Sequence, residues 1–139
     1  MAFEMVEHTG DVAVRLRARD LAGLIEAGVY ALRALLFEGV PPPEAREQRA
    51  ETRVTGVDRE DLLVQALAEA LHLMQEPGLY PREVRVELEG ELRAHLGLCG
   101  VRADGRELRQ VEEIKAVTYH AVEIHEKGGE LETLIVFDV

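Results

Sequence analysis

Serine, asparagine and tryptophan are absent from this chain, and cysteine occurs once, at Cys99. Without serine there is no serine nucleophile. A lone cysteine excludes an internal disulfide and a thiolate metal cluster. Its setting, Leu98-Cys99-Gly100-Val101, reads as a small buried hydrophobe. Aromatic residues make up only 4% of the chain, so the core is expected to be Leu, Val, Ile and Ala. No apolar run reaches membrane-spanning length, and Met1-Ala2-Phe3-Glu4 carries no basic leader. The expectation is a cytoplasmic protein without a cleaved signal and with no membrane association. Helix capping falls to Asp and Thr, and arginine far outnumbers lysine; this is compatible with a thermophilic source or with strong codon bias.

Positive charge is also scarce: the net charge is −11 over 139 residues. That works against direct contact with a nucleic-acid backbone and leaves a basic protein or a cation as the natural partner. The one candidate basic patch, Arg102, Arg106 and Arg109, is diluted by Asp104, Glu107, Glu112 and Glu113. With 47% hydrophobic and 31% charged residues, residues 1–139 are expected to form a single globular domain.

Val12, Val14 and Leu16 alternate with Ala13, Arg15 and Arg17, which predicts a strand. Asp20 is placed to cap a helix carrying Leu21, Leu24, Ile25, Val29, Leu32, Leu35 and Leu36, with Gly28 permitting close packing. Glu38-Gly39 and the triple proline from Pro41 end it. A short strand is expected over 51–57, then an Asp58-capped helix with Leu62, Leu63, Ala66, Leu67, Ala70, Leu71 and Met74 on one face, stopped by Pro77-Gly78. Val84, Val86 and Leu88 begin a hairpin that turns at Gly90-Glu91 into 92–98. A polar segment, 103–113, precedes a long strand over 114–126, and Gly128-Gly129 turns it into 131–137. The fold expected is α+β, two helices packed on a largely antiparallel sheet.

Three segments are poorly explained by packing alone: Glu7-His8-Thr9-Gly10-Asp11-Val12, Ile114-Lys115-Ala116-Val117-Thr118-Tyr119-His120 and Phe137-Asp138-Val139. If the chain ends meet, Asp11, Asp138 and the terminal carboxylate of Val139 converge, the chemistry of a hard divalent cation. Spacing alone equally allows a solvated chain end. His8 is the one histidine near that site. His120 and His125 fall on opposite faces of a regular strand, and His72 and His95 read as structural, so zinc is disfavoured. On the long strand Lys115 shares a face with Val117 and Tyr119, while Ile114, Ala116, Thr118, His120, Val122 and Ile124 form the expected core side. Asp58 and Asp61 are accounted for by capping and the helix dipole. Gly97-Leu98-Cys99-Gly100 lacks the Lys-Thr or Lys-Ser of a phosphate loop.

Taken together, the opening Glu7-His8-Thr9-Gly10-Asp11-Val12, the 114–120 motif, the Asp61-Leu62-Leu63 and Leu67-Ala68-Glu69-Ala70-Leu71 patterns and the Asp138-Val139 end resemble the archease family along the whole chain. Gly10 stands where Ala is commoner, and Ala66 where many relatives carry Trp. The resemblance implies a strand-helix-strand-strand module elaborated by an inserted second one. It implies a non-catalytic activator of an RtcB-type RNA ligase in tRNA splicing, promoting guanylylation of the ligase histidine with GTP and multiple turnover. It carries a metal site over to Asp11, Asp138 and Val139, with calcium or another divalent cation as cofactor. It further associates Lys115, and with it Asp61 and His8, with activation of the partner. Two other readings compete: an acidic protein-interaction module with an incidental metal, and a metal-dependent phosphoester hydrolase. The second is weakened by the want of a general base or nucleophile beside Asp11 and Asp138.

Overall fold

The computed structural model describes residues 1–6, 10–76 and 78–139. In chain order its elements are β1 (Ala2–Val6), β2 (Val12–Ala18), α1 (Leu21–Leu36), β3 (Phe37–Gly39), β4 (Gln48–Thr55), α2 (Arg59–Gln75), β5 (Leu79–Leu88), β6 (Arg93–Arg102), β7 (Leu108–Gln110), β8 (Ala116–Thr118), β9 (His125–Lys127) and β10 (Glu130–Asp138). All strand pairings are antiparallel. The order β1-β2-β10-β8, with β9 also on β10, makes the larger sheet; β4-β6-β5 makes a second, and β3 pairs with β7. Strand β2, helix α1, the β8–β9 segment and β10 form one strand-helix-strand-strand module. Strand β4, helix α2 and strands β5 and β6 form another, inserted between α1 and β8.

Both caps act as the sequence predicts. Asp20 Oδ1 accepts from the Gly23 N–H at 2.8 Å, and Asp58 Oδ1 from the Asp61 N–H at 2.8 Å. The helices pack on each other and on both main sheets, and their leucines join one continuous core. Burial of each such side chain contributes about 1.5–3 kcal/mol. Gly28 lets the helices pack closely: a Cβ there would meet Leu67 Cδ2 at 2.5 Å.

The structure departs from the sequence reading in specific places. Strands β1, β3 and β7 were not expected; β3 and β7 are too short to show alternation and exist because each pairs with the other. The strand expected over 51–57 lies at 48–55, and the hairpin strand runs on to Arg102. Helix α2 ends at Gln75, with Gly78 at φ 92; Pro77 lies outside the described residues. Gly128 and Gly129, at φ 60 and 80, form the predicted two-residue hairpin turn. Cys99 is half-buried on the outward face of β6 and is no core residue.

The largest correction concerns 114–126. It is two short strands, β8 and β9, separated by a turn in which the Val122 N–H donates to the Tyr119 carbonyl at 3.3 Å. Ile114, Val117 and Ile124 are the buried residues, so the expected core side holds at Ile114 and Ile124 but not at Ala116 and His120, which are exposed, and Val117 is buried from the other side. The alternation argument about His120 and His125 fails with it, since no single strand carries both.

Gly28→Ala is expected to lower stability by about 1–3 kcal/mol, because overpacking against Leu67 exceeds the gain in helix propensity. Gly28→Ala with Leu67→Ala should recover part of the packing loss relative to the sum of the single changes, measured by urea unfolding. Additive losses would refute the close contact.

Candidate cation and partner site

Strand β10 places the last residues of the chain beside the start of β2. Its residue Phe137 pairs with Val12 of β2 on one side and with Val117 of β8 on the other. The step beyond sets Asp138 beside Ala116 and at the same sheet end as Asp11. Lys115 follows directly: its backbone N–H donates to the Asp138 carbonyl at 2.7 Å. Asp138 and Lys115 are exposed, while Asp11 and Val139 are half-buried. Gly10, at φ 78, adopts a left-handed conformation that lets the chain turn into β2. His8, with Glu7 and Thr9, lies outside the described residues.

The donors at this end are carboxylates: Asp11, Asp138 and the α-carboxylate of Val139. Hard oxygen donors of this kind fit calcium or magnesium and not a thiophilic ion. The sole thiol, Cys99, sits on the other sheet, held above its ordinary pKa by its hydrogen bond with Glu47 and by burial. Among the described residues no three His, Cys, Asp or Glu side chains are grouped to hold an ion by themselves. A cation at this end therefore depends on the terminal carboxylate, backbone, water or a partner for the rest of its shell of roughly six to eight oxygens.

The 114–124 segment is fastened along α2. Gln75 makes two hydrogen bonds to the Ile114 backbone, Nε2 to the carbonyl at 2.9 Å and Oε1 from the N–H at 2.8 Å. At the other end of the helix Glu60 Oε2 accepts from the Ile124 N–H at 2.9 Å. Asp61 accepts from the Tyr119 hydroxyl at 2.6 Å, from the Val57 N–H at 2.8 Å and from Gln65 Nε2 at 3.4 Å. Capping thus explains only part of Asp61, which also anchors the motif. The Tyr119 hydroxyl and the Val57 N–H hold the Asp61 carboxyl below its ordinary pKa, and the same bond raises the Tyr119 phenol. Asp61 is not at the chain-end site; it reaches that site through the segment it holds.

Tyr119, Gln75, Glu60 and Thr133 were not singled out from the sequence. Thr133 is buried, and its hydroxyl accepts from the Glu123 N–H at 3.1 Å where the turn leaves the sheet edge. Tyr119 was legible only as a member of its motif. The side chains of Gln75 and Glu60 look like solvated helix positions until the segment across from them is placed.

An α+β protein with Asp11 and Asp138 at one sheet end and an adjacent motif strapped to a helix defines the class. The chain matches the model of the Archease protein family (MTH1598/TM1083) over residues 3–139, and it belongs to that family. It is 34% identical to protein archease of Thermococcus gammatolerans over 127 residues, 88% of this chain and 87% of the relative. Protein archease of Pyrococcus abyssi is 32% identical over 125 residues, with the same coverage. Two solved structures share the fold. An archease of Thermotoga maritima, described as a possible chaperone, superposes with a TM-score of 0.69 at 23% identity, covering 96% of this chain and 94% of that one. Protein 1598 of Methanobacterium thermoautotrophicum superposes at 0.70 and 24%, covering 99% and 98%.

Two outcomes test the strap. A carboxyl whose folded pKa is lowered contributes stability above its unfolded pKa and loses it as pH falls through the folded value. Tyr119, raised, contributes below 10.0 and loses it as pH climbs towards its folded value. The Asp61–Tyr119 bond should therefore persist between the acid carboxylate range and about pH 10. In Tyr119→Phe the Asp61 carboxyl should titrate at higher pH by NMR; an unmoved titration would remove Tyr119 as the cause. Ala121, at φ 70 in the turn, is the one non-glycine left-handed residue described. Ala121→Gly should raise stability by about 1 kcal/mol in thermal unfolding, since a left-handed alanine costs roughly 1–2 kcal/mol.

Proposed function

We propose that this protein activates an RtcB-type RNA ligase in tRNA splicing, promoting GTP-dependent guanylylation of the ligase histidine and repeated turnover, and is itself no catalyst. The observation that carries this reading is the junction at the end of β10. There Asp138, at the cation end with Asp11, is hydrogen-bonded through its backbone to Lys115 of the motif. The motif resemblance that implies a ligase partner is supported by membership of the archease family.

Asp11, Asp138 and the Val139 carboxylate would hold a divalent cation, calcium or a similar hard ion, whose positive charge offsets the repulsion of carboxylates gathered at one sheet end. The protein's own residues do the rest. Asp138 and Lys115 set opposite charges at an exposed edge, and Gln75, Glu60 and Asp61 keep the motif rigid enough to present them. A cation site short of ligands within one chain suits an interface at which the partner completes the shell.

The experiment is guanylylation of the ligase with GTP and a divalent metal, with and without substoichiometric protein. Several ligases modified per molecule added is the expected result. Asp138→Ala, and a chain extended beyond Val139, should each weaken calcium binding by calorimetry at least about tenfold, the scale on which even outer-shell partners matter. Both should lose stimulation while still binding the ligase. Full stimulation by Asp138→Ala would sink the role given to the cation, and no stimulation by the unaltered protein would sink the activator reading itself.

A further inference from the structure

The outward face of the β4-β6-β5 sheet carries charges of alternating sign on its two flanks, and among the described residues none of the ion pairs joins a β4 charge to the β5 charge across β6 in its own row. Register places its outward side chains in rows across the sheet: Arg53-His95-Glu87, Glu51-Gly97-Arg85 and Arg49-Cys99-Glu83. The β4 flank therefore reads plus, minus, plus, and the β5 flank minus, plus, minus. The central strand between them carries small or half-buried residues, and a shallow cleft of about 110 Å3 lies over Gly97 and Cys99. On a chain of net charge −11 this face is balanced.

Within one copy the flanks stand two strand spacings apart, about 9.6 Å. Among the described residues, the ion pairs of these arginines run to carboxylates on their own side of β6 or beyond its end: Arg85 to Glu83 at 3.4 Å, Arg53 to Glu89 at 3.0 Å and Arg49 to Glu47 at 3.6 Å. Gly97 has no reason to be glycine on internal grounds. Its φ is not positive, and a Cβ there would meet nothing nearer than Arg85 Cβ at 3.9 Å. A strand glycine with open space above it weakens the sheet and marks a place where another backbone can approach.

We propose that this face docks a second copy of the chain, with a two-fold axis lying along β6. That rotation exchanges the flanks at constant height. Arg49 of one copy meets Glu83 of the other, Glu51 meets Arg85, and Arg53 meets Glu87, so every facing pair is of opposite sign. Gly97 and Cys99 flank the axis, where the missing side chain at Gly97 admits close packing and the two Cys99 thiols face each other across it. The contact is isologous, each residue meeting its counterpart twice. Exposed ion pairs contribute little singly, so the dimer is weak and sensitive to salt. This inference stands apart from the ligase reading, because the face is on the opposite sheet from the Asp11–Asp138 end.

The test is sedimentation velocity of the full chain over a concentration series at low salt, with a short bis-maleimide to link Cys99 to its counterpart. A concentration-dependent dimer that cross-links through Cys99 and dissociates in high salt is expected. Arg85→Glu sets like charges against Glu51 twice per dimer and should weaken association about tenfold or more. Glu51→Arg with Arg85→Glu restores the complement and should restore the dimer. Gly97→Val, which has room within one copy, should keep the fold and lose cross-linking. A monomer at every concentration, or a dimer unmoved by both Arg85→Glu and Gly97→Val, overturns the assignment.

Discussion

Everything at the candidate site depends on β10 being an interior strand. A C-terminal strand at a sheet edge would leave its last residues free to fray. Here the strand has β2 along one side and β8 and β9 along the other, so ladder hydrogen bonds hold it almost to its final residue. Thr133, Ile135, Val136 and Phe137 are buried, which adds hydrophobic anchorage to the hydrogen bonds. Asp138 and Val139 emerge directly from this clamped stretch. Asp138 thereby gains a defined position at the sheet end that also carries Asp11.

The same strand explains why the 114–124 segment has to leave the sheet. Strand β8 meets β10 at residues 136–138 and β9 meets it at 130–132, and the chain between them exceeds what the gap can hold. The excess is thrown outward as the Tyr119–Val122 turn with its left-handed Ala121. An excursion of that kind needs an outside support, and α2 provides it through Gln75, Glu60 and Asp61. The inserted module is thus more than an appendage: its helix sets the conformation of the motif that borders the cation end. Val57, Asp58, Asp61, Tyr119 and Val122 line a cleft where the two modules meet.

Much of the architecture is legible in the sequence. Helices α1 and α2 announce themselves by apolar spacing and by Asp20 and Asp58, because capping and amphipathicity are local. The glycine pair 128–129 specifies a tight hairpin for the same reason. The segment 114–126 misled because Ala116, Thr118, His120 and Val122 happen to alternate like a strand interior. The alternation is overridden by pairing with β10 at only three residues and by side-chain bonds from α2. Strands β1, β3 and β7 were illegible because short strands acquire identity from partners that are distant in sequence.

Residue types and local spacing by themselves determined the two capped helices, the glycine turns, the leucine-rich core and the acidic, oxygen-donor character of the chain ends, since each follows from interactions within a few residues. That Asp11 and Asp138 come to one sheet end was decided only by the tertiary structure. Asp11 and Asp138 stand far apart along the chain, and nothing in either segment encodes their proximity until β2 and β10 take their register. The double role of Asp61, as cap and as anchor for Tyr119, was likewise settled by where a distant segment comes to rest. Long-range pairing is a property of the whole core, and it is there that a run of residues with several local meanings acquires one.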